Sequence, residues 1–122
     1  MSSKKYIQIV TTVDTEEKAE KIAHTLVRDH LAACSQVIGP ISSIYWWKKR
    51  IEKQSEWLCI IKTRRDLYKA VESSILRHHT YEIPEILAIP ISEGQENYLR
   101  WMGQELSSKL DAETEQLNED EK

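Results

Sequence analysis

The sequence has no phenylalanine, three glycines and two cysteines among its 122 residues. The scattered Gly39, Gly94 and Gly103 make none of the usual glycine-rich phosphate loops. Cys34 and Cys59 form no CxxC pair, and neither GxSxG nor HExxH occurs, so the familiar redox, hydrolase and zinc-protease signatures are missing. No apolar run approaches the roughly 20 residues of a membrane-spanning helix. No signal-peptide pattern precedes Tyr6, which, with the sparse cysteines, points to the reducing cytoplasm and to unpaired thiols. A strong field of one sign is also lacking. The formal charge is −3, but the stretch 111–122 sets six acids against Lys122, which leaves +2 on residues 1–110. A body so near neutral does not recruit nucleic acid or an anionic membrane through charge alone.

What is present is enough for one domain with a core and too little for two. We expect a single domain over 1–110 and a flexible acidic tail over 111–122, as a solvated appendage or a frayed extension of the last helix through Leu106 and Leu110. The β-branched run 5–13 predicts a first strand. Asp14 and Glu17 have capping-box spacing, and Ala19, Ile22, Ala23, Leu26 and Val27 fall on one face of a helix over about 15–29. Residues 35–63 carry no helical period and predict two strands, from 36 or 41 to 47 and from 51 or 56 to 63, turning at Lys48-Lys49-Arg50. No Gly or Asn identifies the turn type there. A second helix over 65–79, a strand over 85–91 containing Pro90, and a third helix over 95–106 complete the order βαββαβ plus α. This is the α+β, ferredoxin-like arrangement of an antiparallel sheet with helices on one face.

Strand alternation adds a constraint on assembly. Trp57, Cys59 and Ile61 point to one side and Leu58 and Ile60 to the other, and Ile86 and Ala88 likewise oppose Leu87 and Ile89. Two helices cover only one of these apolar faces, so the other is expected to be buried by further copies of the chain.

Few residues suggest chemistry. Cys34 is either a nucleophile served by a histidine or, more in keeping with free cysteines generally, a small buried thiol. His78 and His79 offer imidazoles suited to copper or zinc, and the Cys34 thiolate would add softness for Cu(I). Against that, helix neighbours diverge by about 100°, and histidines at a helix C-terminus also answer the dipole. Tyr45, Trp46 and Trp47 suit either base stacking or the anchoring of an interface, the latter favoured by a sheet that needs partners. Tyr81, Glu82 and Glu85 place a phenol and two carboxylates before the fourth strand, and Lys62 either snorkels or pairs with a carboxylate lining a pocket.

The runs LAACSQVIGPISSIYWWKKRIEKQSEWLCIIKTR and HHTYEIPEILAIPISEGQENYLRW resemble the signature stretches of the CutA family, the divalent-cation tolerance proteins, over about residues 5–106. The resemblance implies a tight homotrimer related in architecture to the PII signalling proteins. It also implies binding of copper or another divalent cation that is not required for folding, and no enzymatic activity. The family's histidine pair matches His78 and His79, whereas the place of its metal-binding cysteine falls on Thr11, leaving Cys34 as a substitute. The hairpin turn, commonly WKGK, is Trp47-Lys-Lys-Arg50 here, and Thr80 stands where proline is usual. The expected sites are thus His78, His79 and Cys34 for metal, Lys62, Tyr81, Glu82 and Glu85 for a cleft between subunits, and Tyr45, Trp46 and Trp47 for the trimer interface. The alternative is a PII-like scaffold acting through a protein partner, with metal binding incidental. Neither reading involves nucleic acid or membrane.

Overall fold

Alternation in the β-branched strand β1 (Tyr6–Val13) divides its side chains between two environments. Ile7, Ile9, Thr11 and Val13 turn one way and are fully buried, while Gln8, Val10 and Thr12 turn the other way. The computed structural model describes residues 5–108, so the acidic tail expected over 111–122 lies outside the described residues. Around β1 the chain forms α1 (Glu16–Arg28), β2 (Cys34–Trp47), β3 (Arg50–Arg64), α2 (Tyr68–His78), β4 (Ile86–Pro90) and α3 (Glu96–Glu105). The four strands make one antiparallel sheet in the order β2-β3-β1-β4, the split-βαβ order expected of the sequence.

Helix α1 buries Ala19, Ile22, Ala23 and Leu26 as its period predicts, but Val27 stays exposed. Its cap also differs from expectation. Thr15, with extended backbone, accepts the amide proton of Lys18, and Asp14 holds the Lys18 ammonium at 2.9 Å instead of capping. The second helix begins later than expected, because Arg65–Leu67 form a 3-10 turn first, and it ends at His78 because His79 is extended. In α3 the Gln95 side chain caps the N-terminus, and extended Leu106 stops the helix, so no extension continues through it.

The β2–β3 hairpin is longer than predicted and closes on two residues, Lys48 and Lys49, with φ of 51° and 65°. Positive φ at both central positions is the type I′ geometry that usually selects Asn-Gly, so the two lysines hold a strained turn. Between Ile38 and Ile41 the register with β3 shifts. A Cβ on Gly39 would lie 2.4 Å from the Trp57 ring, so the indole lies directly against this irregularity.

Helices α1 and α2 cover one face, where Ile7, Ile9, Cys59 and Ile61 pack with Ile22, Leu26, Val71 and Ile75. The opposite face mixes polar residues such as Gln8 and Lys62 with an apolar patch that is open: Ile38, Leu87 and Ile89 are 49 %, 56 % and 48 % exposed. Helix α3 packs at one end of the sheet through Tyr6, Leu99 and Met102, and Lys62 lies there with its ammonium 5.8 Å from the Tyr98 ring centre.

Candidate functional site

At the other end of the open face, the segment after α2 folds back over β1 and β3. His79 organises this segment. Its Nε2–H donates to the Thr12 carbonyl at 2.8 Å, its Nδ1 accepts the Tyr81 amide at 3.2 Å, and the His79 and Tyr81 rings meet edge-on at 4.8 Å. Glu82 and Ile83 form a bend ahead of Pro84, which disfavours a helical Ile83, and the chain then enters β4. The result is a cavity of about 610 Å³ whose walls include Tyr45, Trp47, Gln54, Glu56, Tyr81 and the Glu82–Glu85 segment.

A directional hydrogen-bond chain crosses its floor. Tyr45 hydroxyl donates to Gln54 Oε1 at 2.6 Å, Gln54 Nε2 donates to the Tyr81 hydroxyl at 3.1 Å, and the Tyr81 hydroxyl donates to Glu56 Oε2 at 2.7 Å. Each donor thus points toward the Glu56 carboxylate, an arrangement in which successive bonds polarise one another. Burial, reinforced by the bond to Glu56, pushes the Tyr81 phenol well above its ordinary value and keeps it a donor. Glu56 is only 5 % exposed. Among the described residues, Tyr81 is its one hydrogen-bond donor and no cation ion-pairs with it.

The predicted site residues scatter around this cavity. Tyr81, Glu82 and Glu85 line it together. Lys62 does not, since it stands six residues from Glu56 along β3, roughly 20 Å away. Of the aromatic triplet, Tyr45 and Trp47 turn into the cavity, while alternation sends Trp46 to the opposite side of the hairpin, 72 % exposed beside Ile44 and Ile51. Gln54 and Glu56 were missed by sequence reasoning. The signal was present: two polar side chains at period 2 on the face that continues as Leu58 and Ile60.

The metal candidates do not converge in one chain. His78 donates from Nδ1 to the Ser74 carbonyl at 2.9 Å, which leaves Nε2 as a free ligand atom, whereas both ring nitrogens of His79 are engaged. Thr11, at the place of the family cysteine, is fully buried on the helix-covered face, and its hydroxyl finds no partner among the described residues. Cys34 pairs with Lys62, which pairs with Gln8, four residues along β1 from the Thr12 end. Among the described residues no three His, Cys, Asp or Glu side chains gather around one point. A closed site for a soft divalent ion, which needs several such donors, therefore does not fit the residues of a single chain.

Comparison with known proteins bears on the same region. The family described as CutA1 divalent ion tolerance protein matches residues 7–105. The chain is 36 % identical over 96 residues to "Protein CutA, chloroplastic" of Arabidopsis thaliana, covering 79 % of this chain and 53 % of that protein. It is 36 % identical over 94 residues to the divalent-cation tolerance protein CutA of Thermus thermophilus, covering 77 % of this chain and 91 % of that one. The chain thus spans about half the length of the plant relative and most of the bacterial one. Among solved structures, CutA1 of Oryza sativa superposes with a TM-score of 0.83 at 32 % identity, over 88 % of this chain and 99 % of that one. In the described residues no helix is long and apolar enough to cross a membrane.

Proposed function

The chain belongs to the CutA1 divalent ion tolerance family, and from that premise we propose that it serves divalent-cation tolerance as a cytoplasmic homotrimer with no catalytic activity of its own. The single observation that carries the reading is the open sheet face. Ile38, Leu87 and Ile89 form an apolar surface that a lone soluble chain would leave in water, while a cleft lies at its edge. Closed symmetric assembly removes that surface, and Trp46 with Ile44 and Ile51 supplies a second apolar contact on the protruding hairpin. Copper or another divalent cation is the ion this reading assigns, with His78 Nε2 as the ligand atom of one chain and the remaining donors brought by a neighbouring copy. Cys34, half-exposed on the open face, is available for that contact.

Light scattering with copper and zinc titration tests the reading. A mass of three chains is expected, with metal affinity falling about tenfold or more in His78→Ala as a ligand is lost. A single chain at micromolar concentration would overturn it. The alternative, a PII-like scaffold with incidental metal binding, draws support from Trp46, and it gains if the trimer forms but His78→Ala leaves metal affinity unchanged.

A further inference from the structure

We propose that the cavity between β2, β3 and the 81–85 segment binds a primary organic ammonium carrying an apolar body. This site stands apart from the divalent-cation reading and uses none of its ligand atoms.

Charge comes first. Glu56 is only 5 % exposed; one of its oxygens accepts from Tyr81, and the other, to which no described residue donates, keeps access to the cavity it lines. A carboxylate with so little water around it favours a cation or further donors at its open oxygen. Among the lining residues there is no lysine, arginine or histidine, and Glu82 and Glu85 add two further carboxylates at the wall. The cation must therefore come from outside the cavity.

The lining also selects among cations. A small divalent ion needs several oxygen ligands on one point. The cavity offers one buried carboxylate, and no group of three His, Cys, Asp or Glu forms among the described residues. Three aromatic side chains share the cavity with Glu56 instead. Tyr45, Trp47 and Tyr81 line the same space, and ring faces attract organic ammonium groups while their carbon skeletons take up an apolar substituent. The chain itself displays this chemistry, since the Lys48 ammonium lies 5.7 Å from the Trp47 ring centre.

Size and pre-organisation point the same way. A volume of about 610 Å³ falls among pockets for small organic molecules rather than for a bare ion. The Tyr45–Gln54–Tyr81 chain fixes the carboxylate before any ligand arrives, and His79 holds Tyr81 in place from the other side. A primary ammonium places one N–H on the free Glu56 oxygen and leaves its apolar body against Ile83 and Pro84.

Phenethylammonium and its neutral isostere phenethyl alcohol, titrated into the full chain at pH 7 and followed by tryptophan fluorescence and ligand-observed NMR, test the proposal. The ammonium is expected to bind saturably and about tenfold more tightly than the alcohol, as a charge-assisted bond implies. Glu56→Gln, its fold checked by circular dichroism, should abolish that preference, and Trp47→Leu should weaken the ammonium about threefold while leaving Glu56 in place. Equal affinity for ammonium and alcohol, absence of saturable binding, or an undiminished preference in folded Glu56→Gln would each overturn it. If Glu56→Gln does not fold, the wild-type preference and the Trp47→Leu response decide. Zinc titration of the same samples reads the metal function separately, so either result stands without the other.

Discussion

Each face of the sheet carries aliphatic side chains, and these meet opposite fates. On the helix-covered side Ile9 and Ile61 pair across β1 and β3 and are completely buried, whereas on the open side Leu87 and Ile89 leave about half of their surface in water. Apolarity alone therefore does not say what a strand face is packed against, and the difference marks the surface that the proposed assembly would cover.

The largest expected effect separates the faces by one residue each. Ile61→Ala should lower unfolding free energy by about 2 to 5 kcal/mol, a transfer loss plus a cavity, in denaturant titrations at any protein concentration. Ile89→Ala at high dilution should change it by about 0.5 kcal/mol or less, and at high concentration should instead weaken association. Equal losses at high dilution would break the comparison, since the open face would then be buried within one chain.

A second difference lies between the two cysteines, one on each face. Cys59 is fully buried, its thiol donates toward the Ala19 carbonyl, and burial raises it from 9.0 to about 11. Between those values the folded chain keeps a proton that the unfolded chain gives up, so stability is whole below about pH 9 and falls as pH rises toward 11. The loss should approach about 2 to 3 kcal/mol per chain. Tyr68 and Tyr81, also raised chiefly by burial, act in the same direction at higher pH. Urea midpoints measured from pH 8 to 10 should lose most of their slope in Cys59→Val and keep it in Cys34→Val. A slope unaltered in Cys59→Val would show that the thiol is not held in a dry core.

The third and mildest contrast belongs to the hairpin tip, beyond the reach of both helices. Lys49→Gly relieves a left-handed φ of 65° and should stabilise the chain by about 0.5 to 1 kcal/mol in thermal unfolding. Destabilisation would mean that the lysine stem packs in the assembly.

Much of the fold was legible because it rests on periodicity. The i, i+3, i+4 spacing of α1 and the alternation of β3 are direct projections of local geometry onto sequence. Caps were less legible. Asp14 and Thr15 both qualify as cap residues by chemistry, and only the backbone path, extended at Thr15, decided between them. The site was legible in part: Tyr81, Glu82 and Glu85 share one short segment, and its chemistry shows in the sequence itself. Glu56 and Gln54 lie some 25 residues away on another strand, and nothing local announces that Tyr81 folds back onto them.

The same division holds for the chain as a whole. Sequence by itself determined the order of elements, the two apolar sheet faces and the family, because each is written in local pattern or in contiguous motifs. Tertiary structure alone decided that His79 serves as a brace with both nitrogens engaged, that Lys62 and Cys34 stand away from the cleft, and that a buried carboxylate lines one cavity with three aromatic residues. Those relations depend on register and on a loop folding back across the sheet. Both are set by packing among residues far apart in the chain, which no local pattern encodes.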